Sequence, residues 1–215
     1  MTISWYGQSC FKIETRGATI ATDPYEKTIG LTPPRFRADI VLVSHSHPDH
    51  GNRDALQGEP FVIDSPGEYE VKGVGVRGVR TFHDATSGSD RGVNTVYLIE
   101  AEDMKICHLG DFGEKELREE TLAEIGDVDL LMVPVGGAST VDGKTAAHLV
   151  SQIEPRVVLP MHYKIPGLSL TLSGEEAFLR EMGVKEPEPA EKFVFKRKDL
   201  PEEETRVIVL RPVNA

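Results

Sequence analysis

Asp39-Ile40-Val41-Leu42-Val43-Ser44-His45-Ser46-His47-Pro48-Asp49-His50-Gly51 is the stretch on which the reading of this chain turns. The apolar, mostly β-branched run at 40–43 predicts a short buried strand. That strand delivers three imidazoles and a carboxylate onto one loop in the pattern H-x-H-x-D-H, and these are ligands a borderline divalent ion such as zinc accepts. His45 and His47 are two residues apart, so an extended backbone points both to one side, where they can grip one ion. Asp49 and His50 follow where the loop turns, and adjacent side chains there diverge toward a second position beside the first. Four metal-capable side chains within six residues exceed what a solvated polar loop requires.

Other candidates stand at the ends of strand-like runs on either side. Residues 3–5, 10–15 and 18–23 read as short strands with a hairpin turn at Arg16-Gly17. The third ends in Thr22-Asp23-Pro24, where Asp23 either steadies a ligand histidine from behind or caps the turn. The strand-like run through 73–78 ends in Thr81-Phe82-His83-Asp84, with His83 at its tip. A tetrahedral site wants a third protein ligand, and His83 is the first histidine after the loop, with Asp84 or a backbone carbonyl to steady its ring. Met104–His108 predicts a strand running into Gly110-Asp111. Asp111 is placed either as a carboxylate between two ions or as the N-cap of a helix over 114–125. His108 is placed either as a proton donor in the same cleft or as a packing residue. Arg156–Leu159 ends in Pro160-Met161-His162-Tyr163-Lys164, a further histidine at a strand's carboxyl end.

Short helices are expected over 52–57, 145–153 and 173–182, and strands over 61–63, 93–100, 128–135, 193–196 and 206–210. Ser65–Glu70 reads as a loop, and the Gly-rich 85–92 as a loop able to flank a cleft. Gly73-Val74-Gly75-Val76-Arg77-Gly78 matches G-x-G-x-x-G literally. Its alternating valines mark a strand, so the dinucleotide reading is rejected. His148 reads as an ordinary helix residue.

At 215 residues, with no repeats and no long linker, the chain predicts one domain over 1–215. It carries 24 Lys and Arg against 35 Asp and Glu, a net charge of −11. Nucleic-acid binding rests on neutralising phosphates with a basic face, so that balance disfavours it. A small-molecule substrate is expected, with self-association left open. The two cysteines, Cys10 and Cys107, lie in apolar runs and predict reduced buried thiols. The N-terminal stretch has neither a basic region nor a long apolar core, and no apolar run reaches membrane-spanning length. A cytoplasmic location is therefore expected.

His45, His47, Asp49, His50, His83, Asp111 and His162, in that order and each at a strand end, resemble the ligand set of the metallo-β-lactamase superfamily. The resemblance implies an α/β fold, a four-layer αβ/βα sandwich with a two-metal site on one edge. Trp5-Tyr6-Gly7-Gln8-Ser9-Cys10-Phe11, "TFHD", "ICHLGD", "VPVGG" and "LPMHYK" are similar, more narrowly, to bacterial zinc-dependent hydrolases related to L-ascorbate-6-phosphate lactonase. The similarity implies that His45, His47 and His83 hold one ion, that Asp49, His50 and His162 hold another, and that Asp111 bridges both. Asp23 matches an aspartate behind the ligands. Gln8 departs from the pattern, since that branch often has His there. His47 argues against the redox di-iron flavoprotein branch, which resembles H-x-E-x-D-H.

The expected cofactors are two divalent metal ions, zinc first, with manganese or iron also compatible. The expected chemistry is attack by a metal-bridging hydroxide on a small ester, lactone or phosphodiester, with Asp49 and His108 as catalytic residues. Tyr163 and Lys164 are weaker candidates for anchoring substrate. A nuclease of the same fold and a non-catalytic metal protein are the alternatives.

Overall fold

A computed structural model describes residues 1–213. The first sheet holds β1 (Thr2–Gly7), β2 (Cys10–Glu14), β3 (Thr19–Thr22), β4 (Ile40–Leu42), β5 (Phe61–Ile63) and β12 (Phe193–Val194), in the order β12-β1-β2-β3-β4-β5. The second holds β6 (Gly67–Val71), β7 (Val74–Phe82), β8 (Val93–Ala101), β9 (Met104–His108), β10 (Leu130–Pro134), β11 (Val157–Met161) and β13 (Arg206–Val207), in the order β13-β11-β10-β9-β8-β7-β6. Both sheets are mixed. β3, β4 and β5 run parallel, as do β9, β10, β11 and β13, while β7 to β9 form an antiparallel meander.

Alternation along the strands explains the layers. In β4, Ile40 and Leu42 join the core between the sheets, whereas Val41 and its neighbour Val43 pack outward with Ala21, Phe36, Ala38 and Leu56. A strand buried on both faces must be apolar at every position, which is why 40–43 lacks polar alternation. The far face of the first sheet is covered by the Phe36 loop and the 53–57 turn. The helices belong to the second sheet: α1 (Glu119–Ile125) packs on β7, and α2 (Gly143–Ile153) on β10 and α3 (Glu176–Glu181). This is the α/β sandwich expected of the metallo-β-lactamase fold. Both cysteines are buried and free, and among the described residues no helix is long and apolar enough to cross a membrane.

Several local expectations are corrected. Segment 65–70 is largely β6, because Lys72 (φ 52°) and Gly73 (φ 75°) form a two-residue turn that folds it back on β7. Residues 52–57 make only a 3-10 turn at Arg53–Ala55, since Asn52 spends its polar groups on Pro24 and Tyr25 carbonyls and Gln57 on Phe36. The helix expected from 114 begins at Glu119; Glu114 is turned back to accept from the Phe82 N–H at 3.2 Å. That also removes the N-cap reading of Asp111. α2 starts before 145 because Asp142 caps it by accepting from Thr145 N–H at 2.8 Å.

The sheets are pinned together near the loop of histidines. Thr95 N–H donates to the Ser44 carbonyl at 2.9 Å, and the Tyr97 hydroxyl lies 2.9 Å from the carbonyl of Val43 and 3.0 Å from that of Ile63. Gly110 passes directly over Ser44 with φ +56°, and a Cβ there would meet the Asn94 amide oxygen and stand 2.6 Å from the Ser44 Cβ. Asn94 in turn binds the Asp111 N–H, the Leu109 carbonyl and the Thr81 hydroxyl. Gly110→Ala therefore both strains the backbone and displaces that network. It is expected to cost about 2–4 kcal/mol, read as a lowered midpoint of thermal unfolding; an unchanged midpoint would show that the two sheets have slack at this point.

Candidate metal centre

Parallel strands bring their carboxyl ends to one edge, the usual place for a site in such sheets. Asp23 follows β3, the 44–51 loop follows β4, His83 follows β7, Asp111 follows β9 and His162 follows β11. The structure gathers all seven expected ligands there into two groups. His45, His47 and His83 offer ligand atoms within 4.8 Å of one another, and so do Asp49, His50, Asp111 and His162. Asp111 lies between them. Its Oδ2 is 3.3 Å from His83 Nε2, 3.3 Å from His162 Nε2 and 4.0 Å from His45 Nε2, while Oδ1 is 3.1 Å from His50 Nε2. Asp49 Oδ2 stands 3.5 Å from His50 Nε2 and 3.6 Å from His162 Nε2.

The donor set fits a cation. Asp23 and Asp111 are about 1% exposed or less and face no lysine or arginine within ion-pair distance among the described residues; their charged neighbours are histidines. Burying carboxylates uncompensated costs several kcal/mol each. The Nε2 atoms of His45, His50 and His162 and the Oδ1 of Asp111 are buried without a hydrogen-bond partner. Buried polar atoms seldom lack partners, and here the orphans converge on one place.

Behind the cluster, Asp23 sets which nitrogens face it. Its Oδ1 accepts from Ser44 N–H at 2.7 Å and its Oδ2 from Ser44 Oγ at 2.9 Å. With its only proton so spent, Ser44 Oγ accepts from His45 Nδ1, 3.0 Å away, leaving Nε2 with a bare lone pair. Asp23 Oδ2 also faces His50 Nδ1 at 3.1 Å. One carboxylate thus orients a histidine from each group.

His108 is held elsewhere. It is 1% exposed, its Nδ1 accepts from Gly110 N–H at 3.1 Å, and its Nε2 lies 3.0 Å from the Ser9 carbonyl and 3.7 Å from Asp23 Oδ2. Both ring nitrogens are committed behind the cluster, so neither is offered to a substrate. Tyr163 packs on Trp5 with ring centroids 5.0 Å apart, and Lys164 Nζ donates to the Leu168 and Leu170 carbonyls. His148 is exposed on α2. Gln8 is buried at φ 49°, its carbonyl accepting from Trp5 Nε1 and from the His162 N–H, while its side-chain amide pairs with nothing among the described residues.

Asp84 does not steady the His83 ring. Its carboxylate accepts from the N–H groups of Thr86, Gly88, Asp90 and Arg91 and from the Thr86 hydroxyl, winding the 85–92 loop around itself. That loop forms a wall of a cavity of about 550 Å³ that opens on His45 and His47 and carries Arg53 and Arg91. Neither arginine was singled out by sequence. Arg53, three residues past His50, had the position but no motif to mark it.

The electrostatics divide the histidines. Burial, with His50 adding, pulls His45 down to about 3 against the opposing pull of Asp111 and Asp23. Burial likewise lowers His83, with His50, His47 and Arg91 adding and Asp111 opposing. At His162 burial opposes charge too, but the Asp111 and Asp49 carboxylates beside it prevail and raise it to about 9. His50 goes well above its ordinary value, since Asp111 and Asp23 outweigh its burial. Burial would raise Asp111, Asp49 and Asp23, yet the histidines beside them hold all three low.

A sequence model of the beta-lactamase superfamily domain matches residues 2–162. The UPF0173 protein of Pyrococcus furiosus is 33% identical over 190 residues, covering 76% of this chain and 83% of that one. The UPF0173 metal-dependent hydrolase of Thermococcus onnurineus is 30% identical over 192 residues, covering 75% and 84%. Among solved structures, a proposed Zn-dependent hydrolase of the metallo-beta-lactamase superfamily from Thermotoga maritima superposes with a TM-score of 0.80 at 35% identity, over 98% of this chain and 99% of that chain. The chain belongs to the metallo-β-lactamase superfamily.

At pH 7 the raised His50 and His162 hold protons that their Nε2 atoms must give up before ligating a cation. Zinc added to metal-free protein is therefore expected to release protons, from these imidazoles and from any water the ions acidify, with affinity rising as pH climbs toward the His162 value. Calorimetric titration in buffers of differing ionisation enthalpy reads this release, and zinc binding without it contradicts the assignment.

Proposed function

We propose that this member of the superfamily is a metal-dependent hydrolase that holds two divalent ions and cleaves a small ester, lactone or phosphodiester. The observation that carries the reading is the position of Asp111, whose carboxylate touches both histidine groups. His45, His47 and His83 would hold one ion, Asp49, His50 and His162 the other, with Asp111 shared. Imidazole and carboxylate in this proportion suit zinc, and also manganese or iron. Bound divalent ions supply Lewis acidity and bring the pKa of water from 15.7 to roughly 7.

The chain's own side chains do the rest. Asp49 is the least buried of the three site carboxylates, with 16% of its side chain exposed, so a free oxygen there can orient an attacking nucleophile by accepting its proton. Asp23 and Ser44 fix the His45 and His50 rings so that their Nε2 lone pairs converge without rearrangement. His108 acts in this reading as a positioning residue, bracing Asp23 and the Ser9 backbone. The lactone option follows the resemblance of the loop motifs to ascorbate-6-phosphate lactonase relatives. Two free buried thiols and the acidic surface fit a cytoplasmic enzyme acting on small molecules.

Zinc-loaded protein is expected to turn over generic chromogenic phosphodiester or lactone substrates, to lose that activity to chelator and to regain it with zinc. His47→Ala is expected to lose metal and turnover together, by more than the roughly 100-fold that partners behind a ligand usually cost. A His47→Ala protein with full metal content and full turnover would refute the assignment.

A further inference from the structure

The cavity beside His45 and His47 holds charges that the ligand set leaves unused. In a chain of net charge −11, two arginines, Arg53 and Arg91, line this one hollow against a single carboxylate, Asp64, together with the hydroxyl-bearing Ser46 and Ser65. Arg91 forms no ion pair among the described residues. Arg53 has only Asp64, 4.0 Å away with both side chains more than half exposed, a contact that water screens almost completely.

The Arg91 backbone is nonetheless held firmly. Asp84, on the strand end that carries His83, accepts the Arg91 N–H at 2.8 Å as the last of five hydrogen bonds that wind the 85–92 loop. Gly88 and Gly92 take φ of +81° and +89° to let the loop close. A buried carboxylate thus fixes where Arg91 stands while its head group stays uncommitted. Fixing the main chain meets the loop's ordering cost on folding, which leaves only the arginine side chain to be ordered on binding.

We propose that Arg91, assisted by Arg53, forms an anion subsite that selects substrates carrying a carboxylate or phosphate group beside the bond to be cleaved. The inference deepens the hydrolase reading and rests on it for the word substrate. Guanidinium offers paired N–H donors that match the two oxygens of either group, and its charge is never titrated away near neutral pH. The cavity, at about 550 Å³, accommodates a small molecule that spans from the arginines to His45 and His47.

Calorimetric titration of the zinc-loaded full chain with inorganic phosphate, and separately with acetate, tests the subsite without reference to turnover. Saturable binding of at least one anion is expected, weakened about tenfold or more in Arg91→Gln, as loss of a charge-assisted hydrogen bond implies, and partly restored in Arg91→Lys. The anion that binds more tightly identifies the group recognised. No anion binding, or equal affinity in wild type and Arg91→Gln, overturns the proposal, because an anion held by the ions alone would not sense residue 91. A kinetic arm compares kcat/KM for the mono-p-nitrophenyl ester of glutaric acid, whose free carboxylate lies apart from the cleaved bond, with that for neutral p-nitrophenyl acetate. Arg91→Gln is expected to lower that ratio about tenfold, and an unchanged ratio overturns the subsite while leaving the hydrolase reading intact. If neither ester, nor any chromogenic phosphodiester or lactone, is cleaved, the hydrolase reading fails instead, and the titration still decides the subsite.

Discussion

Two buried carboxylates without a permanent cation govern this structure. Asp23 and Asp111 sit in an interior where an unpaired charge costs several kcal/mol, and the groups that meet them are imidazoles. Imidazole compensates in either of two ways: it takes up a proton, or it yields its lone pair to a cation that the carboxylates also attract. The split among the histidines follows from this. His50 and His162, each beside at least two carboxylates, are pushed up, and His45 and His83, which meet only Asp111, are pushed down. An arginine in place of any of these would settle the charge permanently and leave nothing for an ion to do.

The fold serves that arrangement by making strand ends coincide. β3 and β4 lie side by side and parallel, so Asp23 and Ser44 emerge next to each other and the carboxylate can cap the start of the histidine loop. Across the sandwich, Thr95 and Gly110 bring the second sheet to within hydrogen-bonding and contact distance of the same Ser44. Ser44 is therefore the junction where both sheets and the His45 tautomer are set together. Its 3% exposure and its place just past a buried strand put it among the least replaceable small residues here.

How legible this was depended on the range of the interaction. The 45–50 cluster is local, so spacing alone announced it. His83, Asp111 and His162 were legible because each closes an apolar strand, and apolar runs are the most reliable local signal. Their assembly into two groups drew on resemblance, since no single-chain pattern encodes which distant strand ends meet. What escaped was cooperative or sterically set. β6 was missed because Lys72 stands where Asn or Asp usually marks such a two-residue hairpin turn, and the 52–57 helix was expected although its polar groups are claimed by the Pro24, Tyr25 and Phe36 carbonyls. Asp84 stood with a backbone carbonyl as the two candidates to steady the His83 ring, yet five donors from its own loop outcompete any ring contact. His108 had the residue type of a proton donor, but only the fold shows both nitrogens committed.

The side-chain expectations share a direction, toward counting more polar residues as free to serve the site. Asp84, His108 and Lys164 are occupied in holding loops and backbone, and Tyr163 packs on Trp5. In their place the cavity wall offers Arg53 and Arg91, long exposed side chains that composition alone would count as solvated surface. The division is physical. Residues that hold ions must be buried and rigid, which leaves a signature in strand ends and spacing. Residues that choose a substrate need only reach the cavity from a loop, so the sequence marks them weakly and geometry is what reveals them.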